Sequence, residues 1–203
     1  MTMDPTSIID ALRSAVPGVS LEPATSIDMP TVVVDREHVV ETLRALRDDR
    51  ALQFVLLVDV TAVDYLPASP RFEIVYHLAC LGEAYAVATP APARRVRLKV
   101  RVPGDNSWIH SATSIYPAAG WPEREIFDLF GIHFEGHPDL RRILMPDDWD
   151  GYPLRKDYPV QIRKTATSWS PLQLTPEEFA ANVRGVHERA VADADEHARP
   201  SGD

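Results

Sequence analysis

The segment RVRLKVRV (95–102) alternates strictly between basic and apolar residues. Successive side chains of a β-strand point to opposite faces of a sheet, so this pattern predicts a strand whose valine and leucine side chains face a core. Its basic side is expected to be a solvated sheet face, and docking of that side onto an acidic protein partner is the less favoured alternative. The core must therefore lie on one side of this strand.

The other periodic segments predict an α+β fold. Further strands are expected at 31–34, 54–60 and 71–78 and around Tyr85 to Val87, and helices at 7–16, 39–46, 106–116, 122–131 and 175–191. The run FVLLVDV (54–60) is almost entirely apolar, which is typical of a strand covered on both faces, and Asp35 is expected to cap the helix that follows it. We expect a two-layer sandwich in which helices cover one face of a mixed or antiparallel sheet.

The spacing of proline and glycine predicts four parts. Residues 31–135 are expected to form the α+β core domain, after an N-terminal helix and linker at 1–30. Prolines recur from residue 138 onwards, so neither a long helix nor a central strand can persist there. We interpret residues 136–170 as an extended, irregular, partner-binding strap, and residues 171–203 as a C-terminal helix and a disordered tail.

The composition argues against several classes of function. The net charge of −9 is unsuited to a nucleic-acid binder, because such proteins need a basic surface to neutralise phosphates. The single cysteine, Cys80, cannot by itself build a disulfide, an iron–sulfur cluster or a zinc–thiolate centre. The longest apolar run is too short to cross a bilayer, so any association with a membrane is expected to be peripheral. The sequence also lacks a glycine-rich phosphate loop.

The stretch EREIFDLFGIHFEGHPDLRRIL (123–144) combines acids, arginines, histidines and phenylalanines. It starts within a predicted helix that has Pro122 in its first turn and Gly131 as a left-handed C-terminal cap. Arg124 and Asp128 lie four residues apart and are expected to pair. A catalytic interpretation would use the three carboxylates of this helix, Glu123, Glu125 and Asp128. We favour ion pairs with nearby arginines, within the chain or across an interface, because the sequence shows no cleft around them.

A metal site is a further alternative, since His133 and His137 lie four residues apart with Glu135 between them. Two such histidines share one face only if the backbone is helical, and Gly136 and Pro138 oppose a helix at this point. Capping, turn or interface hydrogen bonds are therefore the favoured role of both imidazoles. A metal-dependent hydrolase that uses these three side chains stays a remote alternative.

The segment DLRRILMPDDWDGYPLRKDYP (139–159) mixes arginines with large aromatic residues on a proline-rich backbone. This composition is typical of interface hot spots, and proline pre-organises an extended chain. A self-contained surface loop is the alternative. We favour an interface because so many bulky groups on an irregular backbone would be hard to satisfy within one chain.

The whole stretch resembles the signature of the thirty-kilodalton subunit, also called the C subunit, of proton-translocating NADH-quinone oxidoreductase, the respiratory complex I. The residues that carry the resemblance at the family's spacing are Glu123, Arg124, Glu125, Asp128, Leu129, Phe130, His137, Arg141 and Ile143. The resemblance continues through residues 136–159, where Arg142, Trp149, Arg155, Lys156 and Tyr158 are further expected interface residues. It covers roughly residues 30 to 160.

The resemblance implies a subunit of the peripheral arm that has no catalytic site, cofactor or metal of its own and that supports assembly. The FMN, iron–sulfur clusters and quinone would belong to partner subunits, chiefly the forty-nine-kilodalton subunit and the neighbouring cluster-bearing subunit. The protein would lie at the cytoplasmic side of the cell membrane, held there only through the complex. An equivalent subunit of a membrane-bound hydrogenase or of a dehydrogenase with another electron donor is the closer alternative. Charge reversal at Arg141 or Arg142 is expected to release the protein from such a complex.

Overall fold

The computed structural model of the protein describes residues 5–82 and 93–159, and these form an α+β domain. The helices are α1 (Pro5–Ala15), α2 (Val39–Asp48) and α3 (Gly120–Phe130). The strands are β1 (Leu21–Ala24), β2 (Thr31–Val34), β3 (Leu56–Asp64), β4 (Phe72–Cys80), β5 (Arg94–Val102), β6 (Trp108–His110) and β7 (His133–Glu135). The predicted strand around Tyr85 to Val87, the helix at 175–191 and the C-terminal tail lie outside the described residues.

The main sheet has five strands in the order β1-β2-β5-β4-β3. Its β2–β5 pair is parallel and its other pairs are antiparallel, which confirms a mixed sheet. The alternation in β5 is confirmed, since Val96, Leu98, Val100 and Val102 are all buried. They share the core face with Ile74 and Tyr76 of β4, opposite them in the register. None of the helices in residues 5–82 and 93–159 has the length and the apolar composition of a membrane-spanning segment.

The basic side of β5 is less solvated than the sequence predicts. Lys99 Nζ lies 2.7 Å from Glu73 Oε1 of β4, and the Arg97 guanidinium lies 2.8 Å from the Asp28 carboxylate. Each of these two basic side chains is only about one fifth exposed, because each pairs with an acid from the same chain. Two of the four basic side chains are therefore paired within the domain, whereas Arg95 and Arg101 are exposed, as the sequence predicts.

The prediction that FVLLVDV is covered on both faces is wrong. This run contributes the start of β3, which ends at Asp64 and is the last strand of the sheet. Leu56 is 40% exposed and Val58 is 57% exposed, whereas Leu57 and Val60 are buried. The side chains of β3 alternate between the core face and the opposite face of the sheet, so in the described part of the chain only one face of this strand is covered.

The predicted helix at 106–116 is also wrong. Its first part is β6, which pairs in parallel with β7 and places the fully buried Ile109 beside Phe134. The apolar residues of this segment have helical spacing, but its pairing with β7, much later in the chain, makes it a strand. Residues 111–116 then turn into a short 3₁₀ helix, Pro117–Ala119, which leads into α3.

Two smaller differences lie near the N-terminus. Residues 21–24 form β1, although the sequence indicates a linker there. Asp35 does not cap α2; its Oδ1 atom accepts a hydrogen bond from the Ser20 N–H at 2.8 Å, and its other oxygen contacts His38. A 3₁₀ turn, Arg36–His38, begins the helical segment instead.

Helix α3 packs beside β3 and β4. Its Ile126 is buried in the core, and the Phe130 ring meets the Phe72 ring of β4 edge-on at a centroid distance of 6.5 Å. The segment before α3 is fixed by Tyr116, whose buried hydroxyl donates to the Phe54 carbonyl at 2.6 Å. These contacts hold both ends of α3 against the sheet and so position the charged residues on it.

Candidate functional site

Helix α3 carries six of the fourteen predicted site residues and ends where the structure requires glycine. Gly131 has a φ of 69°, a left-handed conformation that side chains with a Cβ adopt at a cost. A Cβ at this position would also overlap the ring of Tyr152. The predicted helix with a Gly131 cap is therefore confirmed. The absence of a side chain at Gly131 also leaves room for the Tyr152 ring, which belongs to the segment after the helix.

Asp128 is the centre of the charged cluster. One of its oxygens, Oδ2, accepts hydrogen bonds from the backbone N–H groups of Ile143, Leu144 and Met145 at 3.0, 2.7 and 2.8 Å. Its other oxygen accepts one from Arg142 Nη1 at 2.8 Å. The side chain of Asp128 is completely buried. The predicted Arg124–Asp128 pair is wrong, because Asp128 turns inward to bind the following segment.

The Asp128 carboxylate is held in its ionised form. Burial by itself would raise its pKa, but the three backbone N–H groups and the Arg142 guanidinium together lower the pKa below its usual value. Four donors that converge on two oxygens satisfy the charge almost completely. The Asp128 carboxylate therefore binds the backbone of residues 143–145 of the same chain.

Arg142 extends this contact further along the segment. Its Nη2 atom donates to the carbonyl of Trp149 at 3.1 Å and lies 3.3 Å from the carbonyl of Gly151. The Tyr158 hydroxyl donates to the Asp150 carbonyl at 3.1 Å. The segment 142–158 is thus held by hydrogen bonds between its own residues, two of them made by the Arg142 guanidinium.

Arg155 binds the C-terminal end of α3. Its guanidinium donates to the carbonyls of Phe130 and Gly131, where the helix dipole favours a positive charge. The same group lies 4.8 Å from the Tyr152 ring centroid and 5.4 Å from that of Phe72. The Leu154 N–H also donates to the carbonyl of Leu129 at 3.1 Å, so backbone and side chain both attach the segment to the helix.

A second ionic cluster attaches the end of the described segment to the β3–β4 hairpin. Arg71 makes two hydrogen bonds to Asp64, at 3.0 and 2.7 Å, and two to Asp157, at 2.9 and 2.6 Å. The Lys156 N–H donates to Asp64 Oδ2 at 2.9 Å. Burial opposes ionisation of Asp64, but the bonds from Arg71 and from backbone N–H groups lower its pKa well below the usual range.

Glu123 is the other buried carboxylate of α3, and its environment differs from that of Asp128. It is fully buried, with Oε2 2.6 Å from Ser111 Oγ and Oε1 accepting the Ala112 N–H at 2.7 Å. Burial raises its pKa to about 7, because these two neutral donors only partly offset the lost hydration. Its partners belong to the turn after β6, so its bonds position α3 against that turn.

Of the two predicted histidines, His137 binds the local backbone and His133 is exposed. His137 Nε2 donates to the Gly120 carbonyl at 3.0 Å, and the Asp139 N–H donates to its Nδ1 atom at 3.0 Å. His133 and Glu135 are exposed side chains of β7. Within residues 5–82 and 93–159, no three histidine, cysteine or acidic side chains are arranged to hold a metal ion. The geometry gives the hydrolase alternative no support in this part of the chain.

A set of exposed side chains lies over these buried contacts. Trp121 is 67% exposed, the Arg141 side chain is 72% exposed and Leu144 is 61% exposed. Arg124 joins them: its guanidinium lies 5.2 Å from the Trp121 ring centroid and donates to the carbonyls of Arg141 and Arg142. We call Trp121, Arg124, Arg141 and Leu144 the junction surface. Tryptophan and arginine are enriched among interface hot spots, so this surface has the composition of a protein-binding patch.

The structure therefore divides the predicted site residues into two groups. Those whose contacts lie mainly within the chain are Glu123, Arg124, Asp128, Leu129, Phe130, His137, Arg142, Ile143, Trp149, Arg155 and Tyr158. Those whose side chains reach the surface include Glu125, Arg141 and Lys156. No sequence pattern indicated Asp64, Arg71 or Ser111, because their partners lie 7 to 92 residues away in the chain.

Comparison with known proteins adds a family assignment to this geometry. The model of the family "Respiratory-chain NADH dehydrogenase, 30 Kd subunit" matches residues 32–164. The C subunit of NADH-quinone oxidoreductase from Roseiflexus sp. (strain RS-1) is 41% identical over 170 residues, which cover 84% of this chain and 92% of that protein.

Solved structures agree with the fold. The trypsin-resistant fragment of Nqo5 is 31% identical, with a TM-score of 0.52, and the match covers 68% of this chain and all of the fragment. A polypeptide of an archaeal respiratory membrane complex, the membrane-bound sulfane sulfur reductase, has a TM-score of 0.62 over 84% of this chain and 96% of its own length. That polypeptide is 24% identical, so it supports the fold alone.

We predict that Glu123→Gln changes how stability depends on pH. The pKa of Glu123 is about 7 in the folded protein and 4.5 in the unfolded chain, so the folded state retains a proton that the unfolded state loses between these values. The contribution of this proton to the free energy of unfolding is fully present below pH 4.5 and is lost as pH rises to about 7, a change on the order of 3 kcal/mol. The glutamine side chain would keep an acceptor for the Ala112 N–H and would not ionise.

Urea unfolding at pH 5 and pH 8 measures this effect. The wild type should lose stability between the two pH values, and the variant should lose less and be the more stable of the two at pH 8. Glu37→Gln is a control on an exposed glutamate. Equal pH dependence in wild type and Glu123→Gln would contradict the assignment.

We predict that Gly131→Ala destabilises the domain more than Gly136→Ala does. Both glycines have a positive φ, but only at Gly131 would the new methyl group collide with Tyr152; at Gly136 it meets no atom within 4 Å. Gly136→Ala should therefore lower the free energy of unfolding by about 1 kcal/mol, and Gly131→Ala by about 2–4 kcal/mol. Equal losses in a denaturation titration would show that Tyr152 does not pack on the cap.

Proposed function

This chain belongs to the family of the thirty-kilodalton subunit of respiratory-chain NADH dehydrogenase, and from that membership we propose that it is a structural and assembly subunit of the peripheral arm of a proton-translocating NADH-quinone oxidoreductase. The complex would pass electrons from NADH through FMN and iron–sulfur clusters to a quinone. This protein would carry none of those groups, and would bind the subunits that do.

The junction surface is the observation that carries the proposal. Beneath it, Asp128, Arg142 and Arg155 fix the segment 139–158 to α3 through bonds inside the chain. Because that network is internal, the segment has a defined shape before any partner binds, and binding costs less conformational entropy. Trp121 and Arg141 are left pointing outward from this fixed base.

The proposed partners are the forty-nine-kilodalton subunit and the neighbouring cluster-bearing subunit. In this proposal, those partners hold the FMN, the iron–sulfur clusters and the quinone. Membrane association would arise only through the complex, at the cytoplasmic side of the cell membrane. Residues 136–170 remain the proposed partner-binding strap, and the described part of it supports a modified form of that proposal, in which its inner side binds α3 and its outer side binds the partner.

An equivalent subunit of a related complex with another electron donor is the second candidate. Its support is the shared fold with a polypeptide of the membrane-bound sulfane sulfur reductase. The higher identity to the C subunit of NADH-quinone oxidoreductase, over almost all of that protein, favours NADH as the donor. Affinity purification of the tagged protein from its native membrane, followed by an assay of NADH oxidation, separates the two.

We predict that Arg141→Glu and Trp121→Ala each lower the recovery of partner subunits with the tagged protein by about tenfold or more. The isolated variants should unfold at the wild-type temperature, because both side chains are largely exposed. Arg142→Glu is unsuited to this test, since it would also break the bond to the buried Asp128.

Arg50→Glu is the matched control, an exposed arginine just after the end of α2 that should leave recovery unchanged. Normal recovery of the partners with both Arg141→Glu and Trp121→Ala would show that the junction surface is not an interface.

A further inference from the structure

The two edges of the main sheet differ in how they are protected. Strand β1 at one edge has four residues and contains Pro23 and Glu22. Short length, proline and charge are the usual means by which proteins prevent an edge strand from pairing with another chain. Strand β3 at the other edge has nine residues and contains no proline, lysine or arginine. Within residues 5–82 and 93–159, the second edge therefore has fewer protective features than the first, namely the charge of Asp59 and the irregular pairing next to it.

Strand β3 is also unusually apolar on its exposed side. Leu56, Val58 and Val63 are between 36% and 57% exposed, and Tyr65 directly after the strand is 44% exposed. The pairing with β4 shifts between Leu57 and Asp59, so Val58 sits at an irregularity in the ladder. An exposed apolar edge of this length favours pairing with an added strand.

A groove runs along this edge, between β3 and α3. Its volume is about 190 Å³, and its apolar lining includes Ile126, Leu129 and Leu154. Asp59 and Glu125 also line it, and within residues 5–82 and 93–159 neither carboxylate has an ion-pair partner. The basic side chains of the neighbouring clusters, by contrast, are already bound, Arg71 to two acids and Arg142 to Asp128. The groove therefore offers negative charge without an internal counterion.

We propose that β3 and the groove beside it bind an extended segment of another subunit, which pairs with the β3 backbone, places an apolar side chain in the groove and directs a lysine or arginine between Asp59 and Glu125. This inference rests on the proposed role as a subunit, and it adds a second contact that is distinct from the junction surface. Charge complementarity selects a basic residue on the partner.

A second copy of this chain fits the edge less well. Symmetric pairing of two β3 strands would bring Asp59 and Glu125 of one copy close to the same carboxylates of the other, in a protein whose net charge is already −9. Like charges directly opposite each other destabilise a strand pair. A partner segment that carries a basic residue removes this repulsion.

The first test compares variants of the tagged full-length protein in its native membrane. Val58→Lys puts a charge on the pairing edge, and Glu125→Lys reverses the charge of the groove; each should lower recovery of the partner subunits by about tenfold. Ile27→Lys, at a fully exposed apolar residue between β1 and β2, should leave recovery unchanged. Unchanged recovery with both variants, while Arg141→Glu lowers it, would overturn this inference and leave the proposed function standing.

The second test identifies the occupant directly and does not depend on how a lysine variant folds. A photo-cross-linking amino acid is incorporated in place of Val58 during synthesis of the tagged protein, and the purified complex is then illuminated, with the unsubstituted protein as control. We expect a cross-link to a segment of another subunit that contains a lysine or arginine within a few residues. A cross-link to residues 83–92 or 160–203 of the same chain, one to a second copy, or none at all would contradict the proposal. A tagged protein that recovers no partner subunits would contradict the proposed function itself.

Discussion

The buried carboxylate of Asp128 is the interaction on which the rest of the site depends. A charge without hydration is costly, and here four donors replace the lost water: three successive backbone N–H groups and one guanidinium. Because three of these donors belong to the backbone of residues 143–145, the carboxylate fixes the path of the chain as well as one side chain. An irregular, proline-rich segment thereby acquires a defined conformation.

The remaining charges of the site extend this arrangement at both ends. Arg155 covers the end of α3, and the Asp64–Arg71–Asp157 cluster ties the segment to the β3–β4 hairpin. The charged side chains on the outside of this arrangement, such as those of Arg141 and Glu125, are placed where a partner can contact them. The charged residues on the inner side of this segment stabilise its fold. In our proposal, those on the outer side bind a partner.

Local patterns predicted the elements whose burial repeats regularly along the sequence. The alternation in β5 and the capped helix at 122–131 were visible in the sequence, because a strand half-buried in a sheet and a helix that ends at glycine each leave a periodic trace. The helix expected at 106–116 failed because Ile109 pairs with Phe134 in a strand instead. The same holds for the site. The sequence predicted that Asp128 pairs with an arginine, but it did not predict that this arginine is Arg142, because a hydrogen bond between residues 14 apart leaves no regular pattern in the sequence.

Amide hydrogen exchange in the isolated protein tests the central claim most directly. In the wild type, the N–H groups of Ile143, Leu144 and Met145 should be protected by Asp128, and in Asp128→Asn they should exchange at least about tenfold faster, because the charge that orders them is removed. Asp139→Asn, which alters an exposed carboxylate, should leave their protection as it is. Equal protection of these three N–H groups in wild type and Asp128→Asn would contradict the account.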